Sequence, residues 1–306
     1  MFTHKTFLFI QLYCVLHISI NNTMHLKPNH FLRNTLLSIL QKITDQKKYV
    51  IGTQERSGMG SSLHALLNHL YYCEKKGLTP VVFWNEKSLY YKKEGFNNKS
   101  NVWEYYFEPL SPTKYQLGDK INYNSPHNSH IYFVYQNAAH SIRKDAARLM
   151  KKYNIRPNKH VQTKIDTFYK KNIEGNHTIA IHIRGTDKIK EEKPVNPKSL
   201  IKEALKHAHE KTQFYIATDE QTIMDQALSL LKGRKVIYWD CFRSLDGSPL
   251  HIGQKEHPQA SRAQVGEDIV IEMYLLSKCD FLVRTLSNVS NFVLYLNPAM
   301  PYITLR

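Results

Sequence analysis

The sequence predicts an α/β protein with doubly wound parallel sheets, divided into two domains. In the second half, short β-branched runs alternate with segments of helical length, which is the order of a parallel sheet covered by helices. At 306 residues the chain exceeds one ordinary hydrophobic core, so two domains are expected. The polar, glycine-containing segment 172–177 separates them, giving an amino-terminal domain at 25–173 and a carboxyl-terminal domain at 174–306.

The composition is that of a globular protein with an excess of positive charge. Hydrophobic residues make up 42% of the chain, and 42 Lys and Arg against 26 Asp and Glu give a net charge of +16. Such an excess suits nucleic acid, anionic lipid or an anionic substrate. The lysines are scattered, and no zinc-ligand, RNP-like or basic-zipper pattern accompanies them. A generally basic surface is therefore favoured over nucleic-acid binding.

The amino terminus, residues 1–24, has the pattern of a signal peptide or short membrane anchor. Lys5 precedes the apolar run 7–20, which has the length of a signal-peptide core and is short for a membrane span. Gln11 and His17 interrupt it, so an ordinary amphipathic helix is the alternative. This leader predicts the secretory pathway or cell envelope and, with the basic surface, leaves membrane-surface association open. The cysteine spacing predicts neither a disulfide scaffold nor a metal site.

The first domain is predicted to open with a strand, a glycine-rich turn and a helix. Gly58 and Gly60 are expected to let backbone amides approach a ligand at the helix amino terminus, with a purely structural turn as the alternative. The aromatic-rich segment 86–130 reads as loops and short helices, whose aromatic rings either stack on sugars or pack against the domain. The predicted strands of this domain are 49–53, 81–84 and 131–135, and its helices are 63–76, 138–153 and 161–171.

The second domain begins with strand 178–183, and charged residues follow directly. Ligands bind at the carboxyl ends of strands in open α/β sheets, and Arg184 and Lys188 placed there suit an anionic ligand such as phosphate. A solvated charged loop is the alternative. The other predicted strands are 214–217, 235–239 and 281–284, and the helices are 198–211, 222–231, 266–277 and one that begins near 287–290.

Three motifs in this domain carry a family resemblance. They are His182-Ile-Arg184-Gly-Thr-Asp187-Lys188, then Ala217-Thr-Asp219, and finally the run from Glu272 through Thr285 and Ser287 to Asn288. In this order they resemble the donor-domain motifs of the α-1,6-fucosyltransferase superfamily, which includes the protein O-fucosyltransferases more distantly. Gly58-Met-Gly60 resembles the first-domain glycine loop of that family. The resemblance extends from about residue 50 to the end of the chain.

The resemblance implies a GT-B architecture of two Rossmann-like domains facing a cleft, and an inverting transfer from GDP-fucose without a metal or other cofactor. A glycan or glycoconjugate is the implied acceptor. Arg184 matches the phosphate-binding arginine, and Lys188 would add a second positive charge for the departing diphosphate. No Asp-x-Asp pair of the kind that holds a metal with a sugar nucleotide is present. The implied donor-binding residues are His182, Arg184, Asp187, Asp219, Glu272, Thr285, Ser287, Asn288, Gly58 and Gly60.

Two departures from the family pattern keep other functions open. Gly185 stands where the family has a second arginine, and Asn288 stands where it often has serine. Transfer of another GDP-linked sugar and non-catalytic binding of a sugar nucleotide or glycan are therefore alternatives. A basic protein that binds nucleic acid or lipid is a third.

The resemblance also predicts the base that accepts the proton of the acceptor hydroxyl, because Glu192 falls at the matching position. Glu191 is its competitor, and a charged, solvated loop is the alternative. We expect Glu192→Gln to keep GDP-sugar affinity and lose most of kcat, since proton transfer needs the carboxylate and ground-state binding does not. Calorimetry and initial rates measure the two effects. A fully active Glu192→Gln beside an inactive Glu191→Gln would move the assignment by one residue.

Overall fold

The computed structural model describes residues 47–55, 57–124, 133, 139–185, 195–248, 250 and 261–306. The predicted leader lies outside these residues, as do Asp187, Lys188, Glu191 and Glu192. The boundaries assigned to the two domains stay a prediction. Within the described ranges, no helix combines the length and apolar character that crossing a membrane requires.

A three-stranded parallel sheet forms the first half, in the order β2-β1-β3. Its strands are β1 (Lys48–Ile51), β2 (Thr79–Val82) and β3 (Ile121–Asn122). Helix α1 (Met59–Lys76) connects β1 to β2 and ends at Gly77, whose left-handed φ of 63° suits glycine. The glycine-rich turn was placed wrongly, because α1 begins at Met59 and so contains Gly60, while Gly58 is the residue that caps it.

The second half contains a five-stranded parallel sheet in the order β6-β5-β4-β7-β8. The strands are β4 (Thr178–Ile183), β5 (Gln213–Thr218), β6 (Val236–Ile237), β7 (Phe281–Thr285) and β8 (Tyr302–Leu305). The chain moves outward from β4 to β6 and then returns to place β7 on the other side of β4. The carboxyl ends of β4 and β7 therefore form the topological switch point, where open α/β sheets bind ligands.

Helices cover both sheets, and polar caps begin most of the long ones. Asn158, Asn196, Ser261 and Ser287 each accept a hydrogen bond from a backbone amide of the helix that they start. The helices after α1 are α2 (Val102–Tyr106), α3 (His140–Lys152), α4 (Lys159–Asn172), α5 (Pro197–Lys206), α6 (Gln221–Leu230), α7 (Arg262–Leu276) and α8 (Asn288–Leu296).

The predicted order of elements in the second domain is confirmed, and β4 has the predicted bounds. Helix α5 ends at Lys206 rather than at 211, and β6 is shorter than predicted because it pairs with β5 only at Val236 and Ile237. Helix α2 lies in the segment 86–130, for which short helices were predicted, whereas β3 and β8 were not predicted; β3, with two residues, is too short to show a period. The predicted strand 131–135 lies outside the described residues apart from Phe133, which is buried.

Successive residues of β4 face opposite sides of the second sheet, as the two-residue period of a strand requires, and so belong to different hydrophobic cores. Ile179, Ile181 and Ile183 pack towards α5 and α6, whereas Ala180 faces the larger core that also includes α1, α7 and α8. Several rings of the aromatic-rich segment are fully buried in this larger core, so for them the packing interpretation holds. These rings belong to Trp103, Tyr105, Tyr106 and Phe107.

Helix α1 of the first half meets α8 of the second half at their amino termini. A Cβ atom at Gly60 would lie 2.8 Å from Asn288 Cβ and 2.8 Å from the Val289 backbone nitrogen. Real Cβ atoms do not approach backbone this closely, so only glycine permits this contact. The short distance between the amino termini of α1 and α8 therefore requires a glycine at position 60.

We expect Gly60→Ala to destabilise the fold by about 1–3 kcal/mol, because the added methyl group collides with backbone that cannot move independently. Urea unfolding measures the change. Ser61→Ala is the matched control, since it alters the next residue of the same helix without adding volume. Equal stability of Gly60→Ala and wild type would contradict the close contact.

Candidate functional site

The ends of three adjacent strands are joined through Arg184, which directly follows β4. Its backbone nitrogen donates to Thr285 Oγ1 at the end of β7 at 2.9 Å, and its Nη1 lies 2.8 Å from Asp219 Oδ2 beyond β5. The Gly185 nitrogen donates to Asp219 Oδ1 at 2.9 Å. Because one carboxylate holds both the guanidinium and the backbone of the next residue, the Arg184 side chain has a fixed position at the switch point.

The turn between β7 and α8 is fixed by a serine pair. Ser287 caps α8 by accepting a hydrogen bond from the Ser290 nitrogen at 3.0 Å, and Ser290 Oγ donates to the Thr285 carbonyl at 2.9 Å. The Ser290 hydroxyl also accepts from the Ser287 nitrogen, which completes a capping box. Asn288 is the first residue of α8. The start of a helix concentrates amide dipoles that attract anions, so this turn is suited to a phosphate group.

A cavity of about 50 Å³ lies beside Arg184, on the face of the sheet covered by α7. His182, Asp219 and Glu272 line it together with Cys241 and Asp268. A larger, open cavity of about 480 Å³ adjoins it and shares Cys241, Phe242 and Asp268 in its lining. The volume of the larger cavity falls in the range of cavities that bind small ligands. A ligand could therefore occupy the larger cavity and place a polar group in the smaller one.

Burial sets unusual protonation states around the small cavity. It raises the pKa of Glu272 to about 8, because the charged carboxylate would lose its hydration, although nearby Arg243 opposes the shift. Burial lowers the pKa of His182 to about 4 and raises that of Asp268 to about 6. At neutral pH, His182 is therefore neutral and Glu272 is mostly protonated. A protonated Glu272 can donate a hydrogen bond, which an ionised carboxylate cannot.

The carboxyl group of Glu220 lies directly beside Gly185. A Cβ atom at this position would lie 2.5 Å from Glu220 Oε2 and 2.7 Å from Ile223 Cδ1. Glu220 therefore occupies the space into which a side chain at residue 185 would project. Burial, with a smaller contribution from Asp219, raises the pKa of Glu220.

Five of the ten predicted donor-binding residues come together in this region. His182, Arg184, Asp219 and Glu272 line one cavity, and Thr285 contacts Arg184 directly. The structure adds Cys241, Asp268 and Glu220 to the site. Asp268 could have been predicted because it lies one helical turn before Glu272 on α7, and Glu220 because it directly follows Asp219. Cys241 belongs to the segment after β6, which no predicted site residue marks. The remaining predicted residues with described positions, Ser287, Asn288, Gly58 and Gly60, lie at the starts of α8 and α1.

Across the described ranges, no three side chains of His, Cys, Asp or Glu are grouped as ligands for a metal ion.

No protein-family model matches the chain. Solved structures share its fold at low sequence identity. Fucosyltransferase NodZ from Bradyrhizobium is 18% identical with a TM-score of 0.53, over 85% of this chain and 96% of that one. NodZ α-1,6-fucosyltransferase co-crystallised with GDP is 17% identical with a TM-score of 0.52, over 85% of this chain and 96% of that one. POFUT1 in complex with GDP-fucose is 10% identical with a TM-score of 0.52, over 85% of this chain and 98% of that one. The chain has the GT-B fold of these fucosyltransferases, as predicted.

Proposed function

We propose that this protein is a glycosyltransferase that moves fucose from GDP-fucose to a hydroxyl group of a glycan or glycoconjugate. The observation that carries the proposal is Arg184, held by Asp219 and Thr285 at the switch point beside the start of α8. The shared fold with enzymes that were crystallised with GDP and GDP-fucose supports it.

The reaction requires stabilisation of a departing diphosphate. As the bond from the sugar C1 atom to the diphosphate breaks, negative charge accumulates on the phosphate oxygens, while the acceptor hydroxyl attacks C1 from the opposite side. Arg184 offers a planar set of N–H donors that suits phosphate oxygens, and the amides at the start of α8 add partial positive charge. These groups are already in position, so they need no rearrangement as the charge develops. The proposed mechanism therefore relies on fixed protein groups in place of a metal ion.

The adjoining cavities support binding of the nucleoside part of the donor. Protonated Glu272 can donate to a ring or carbonyl acceptor, and Asp268 accepts hydrogen bonds from Trp239 Nε1 at 2.9 Å and from Gln264 at 3.2 Å. Polar groups of both kinds beside the aromatic rings of Trp239 and Phe242 suit a heterocyclic base with a sugar.

A separate groove supports a carbohydrate acceptor on the side of the first sheet. It has a volume of about 620 Å³ and lies along β2 and the loop 109–115. Phe83 and Tyr115 in its lining stack at 3.9 Å between ring centroids, with planes 8° apart. Glu104 and several hydroxyl groups, those of Ser100, Ser111 and Thr113, also line it. Aromatic faces beside a carboxylate and hydroxyls are the groups that bind sugar rings.

Glu220 favours a second candidate, which is transfer of a different GDP-linked sugar. Its carboxyl group lies against Gly185, where the resembled family has an arginine that contacts the donor. A carboxyl group in place of a guanidinium changes which sugar hydroxyls or charges are tolerated. Calorimetry with GDP, UDP, ADP and GDP-fucose identifies the nucleotide that binds. A turnover assay of each GDP-sugar that binds then distinguishes the two candidates from each other, and both from a protein that binds without turnover.

Arg184→Ala is expected to weaken GDP binding by 10-fold or more and to lower the transfer rate by at least 100-fold, because charge on the departing diphosphate loses its stabilising partner. Calorimetry and radiolabelled sugar transfer measure these effects. Arg184→Lys is the control that keeps the charge but loses the planar fork, so we expect it to fall between wild type and Arg184→Ala. Wild-type turnover by a folded Arg184→Ala protein would refute the mechanism.

The pKa of Glu272 predicts how stability depends on pH. In the unfolded chain this carboxyl group ionises near pH 4.5, whereas the folded pKa is about 8, so the folded state holds more protons between these values. Stability must therefore fall as pH rises through this window, by up to about 1.4 kcal/mol per pH unit. The buried histidines act in the opposite direction only below about pH 6.5.

Urea unfolding from pH 6.5 to 8 should show this fall in wild type and a much smaller one in Glu272→Gln. Glu210→Gln is the control, because Glu210 is exposed and its removal should leave the fall unchanged. A Glu272→Gln protein with the wild-type pH dependence would show that Glu272 is ionised in the folded state.

A further inference from the structure

The end of the first sheet opposite the site carries a cluster of cations. Helix α1 runs back from the carboxyl edge of β1, so its last turn, with Lys75 and Lys76, lies at the amino edge of the sheet. On α3, Lys144, Arg148 and Lys151 follow one another at helical spacing and are exposed. We call these residues, together with Lys152, the basic end.

Ion pairs show that the two helices contribute to one surface. Glu74 of α1 accepts from Arg148 Nη1 at 2.7 Å and from Lys152 Nζ at 2.8 Å. Tyr153, which follows α3, donates from its hydroxyl to the Leu70 carbonyl of α1 at 3.5 Å. The last turn of α1 therefore lies directly beside the carboxyl-terminal half of α3.

The carboxylates of this surface are already compensated. Hydrogen bonds from Arg148 and Lys152 lower the pKa of Glu74 to about 2, and Asp145 lies 3.5 Å from the same arginine. Two acids thus face six cations. Lys75, Lys76 and Lys151 are exposed, and they form no ion pair with any described residue. The basic end has an excess of positive charge that the described part of the protein does not neutralise.

Tyrosine rings lie among these cations. Lys75 Nζ is 5.3 Å from the centre of the Tyr71 ring, and Lys152 Nζ is 5.5 Å from that of Tyr153. Both tyrosines are partly exposed. Lysine and tyrosine side chains with an apolar body and a polar tip are typical of surfaces that contact the headgroup layer of a membrane.

The sequence that precedes Lys47 favours a lipid surface over nucleic acid as the partner of the basic end. Lys47 lies at this same edge, where its carbonyl accepts a hydrogen bond from the Thr79 nitrogen at 3.2 Å. The sequence that leads into Lys47 contains the apolar run 7–20, predicted above as a signal peptide or short anchor. A lipid surface suits both features, whereas nucleic acid would use only the charge.

We propose that the basic end binds the surface of a membrane containing anionic phospholipids, with the lysines on the headgroup phosphates and Tyr71 and Tyr153 at the headgroup level. The opposite, carboxyl edge of the first sheet, after which α1 begins, then faces away from the lipid. Each lysine near an anionic membrane raises affinity about five-fold, so three exposed lysines contribute roughly 100-fold.

The test is cosedimentation of the full chain with vesicles of phosphatidylcholine alone or with 30 mol% phosphatidylserine. The variant is Lys75→Ser/Lys76→Ser/Lys151→Ser. Its matched control is Lys202→Ser/Lys211→Ser/Lys232→Ser, which removes the same charge from exposed lysines of the second half. We expect wild type and control to prefer anionic vesicles and the variant to lose about 100-fold in affinity for them, with GDP binding unchanged in all three. High salt should remove the preference.

Three results would overturn the proposal. Equal binding of wild type to neutral and anionic vesicles would assign all binding to the apolar leader. Equal loss in variant and control would assign it to net charge. No vesicle binding, with a 20-base-pair RNA duplex bound by wild type and lost in the variant, would identify a nucleic-acid surface instead. Because GDP binding is measured on the same proteins, failure here is distinct from failure of the proposed transferase activity.

Discussion

The geometry of the site depends on the buried guanidinium of Arg284. This side chain is only 2% exposed and donates to Thr304 Oγ1 of β8 at 2.9 Å, to Ser290 Oγ at 3.1 Å and to Asn291 Oδ1 at 2.6 Å. These acceptors are neutral, and burial lowers the pKa of Arg284 to about 10, so it remains charged at neutral pH. One cation thus joins β7, β8 and the first turn of α8.

A chain of hydrogen bonds through Ser290 and Thr285 connects the Arg284 guanidinium to Arg184. Arg284 fixes the Ser290 hydroxyl, which binds the Thr285 carbonyl, and the Thr285 hydroxyl in turn accepts the Arg184 amide. A buried charge without an ionised partner costs free energy. Its retention here is consistent with a requirement for the exact position of this turn, which a well-packed apolar residue would not enforce.

The sequence predicted the order of elements in the second domain because the parallel sheet leaves a strong pattern. Strand β4 is rich in β-branched residues and is buried along its whole length on both faces, so its bounds could be read directly. The start of α1 could not, because glycine at 58 and 60 indicates a turn by local preference, and only contact with Asn288 explains a glycine inside the helix. Elements such as β3, with two residues, depend on neighbours rather than on their own period.

Some residues of the site could likewise be predicted from the sequence, and others could not. Arg184, Asp219 and Thr285 were predictable because they belong to the resembled motifs and each lies at the end of a strand or directly after it, where the strand ends of a parallel sheet meet at one edge. The contact of the Glu220 carboxyl group with Gly185 was not, because it depends on packing against a residue that lies 35 residues earlier. The protonated state of Glu272 was also beyond the sequence, since a carboxyl group in a helix has an ordinary pKa until the fold buries it.

The charges of the described site balance almost completely before any ligand binds. Arg184 is paired with Asp219, His182 is neutral, and Glu272 is mostly protonated at neutral pH. Asp268, with a pKa of about 6, is mostly ionised, and the Arg243 guanidinium of the adjoining cavity supplies an opposite charge. The large positive charge of the protein therefore does not accumulate in this cavity, although it does accumulate at the basic end. An incoming diphosphate must then be stabilised by directed groups, which are the Arg184 guanidinium and the amides of α8, together with the predicted contribution of Lys188. Such short-range groups distinguish a diphosphate at one position from anions in general, because their effect falls off within the first turn of the helix and the reach of one side chain.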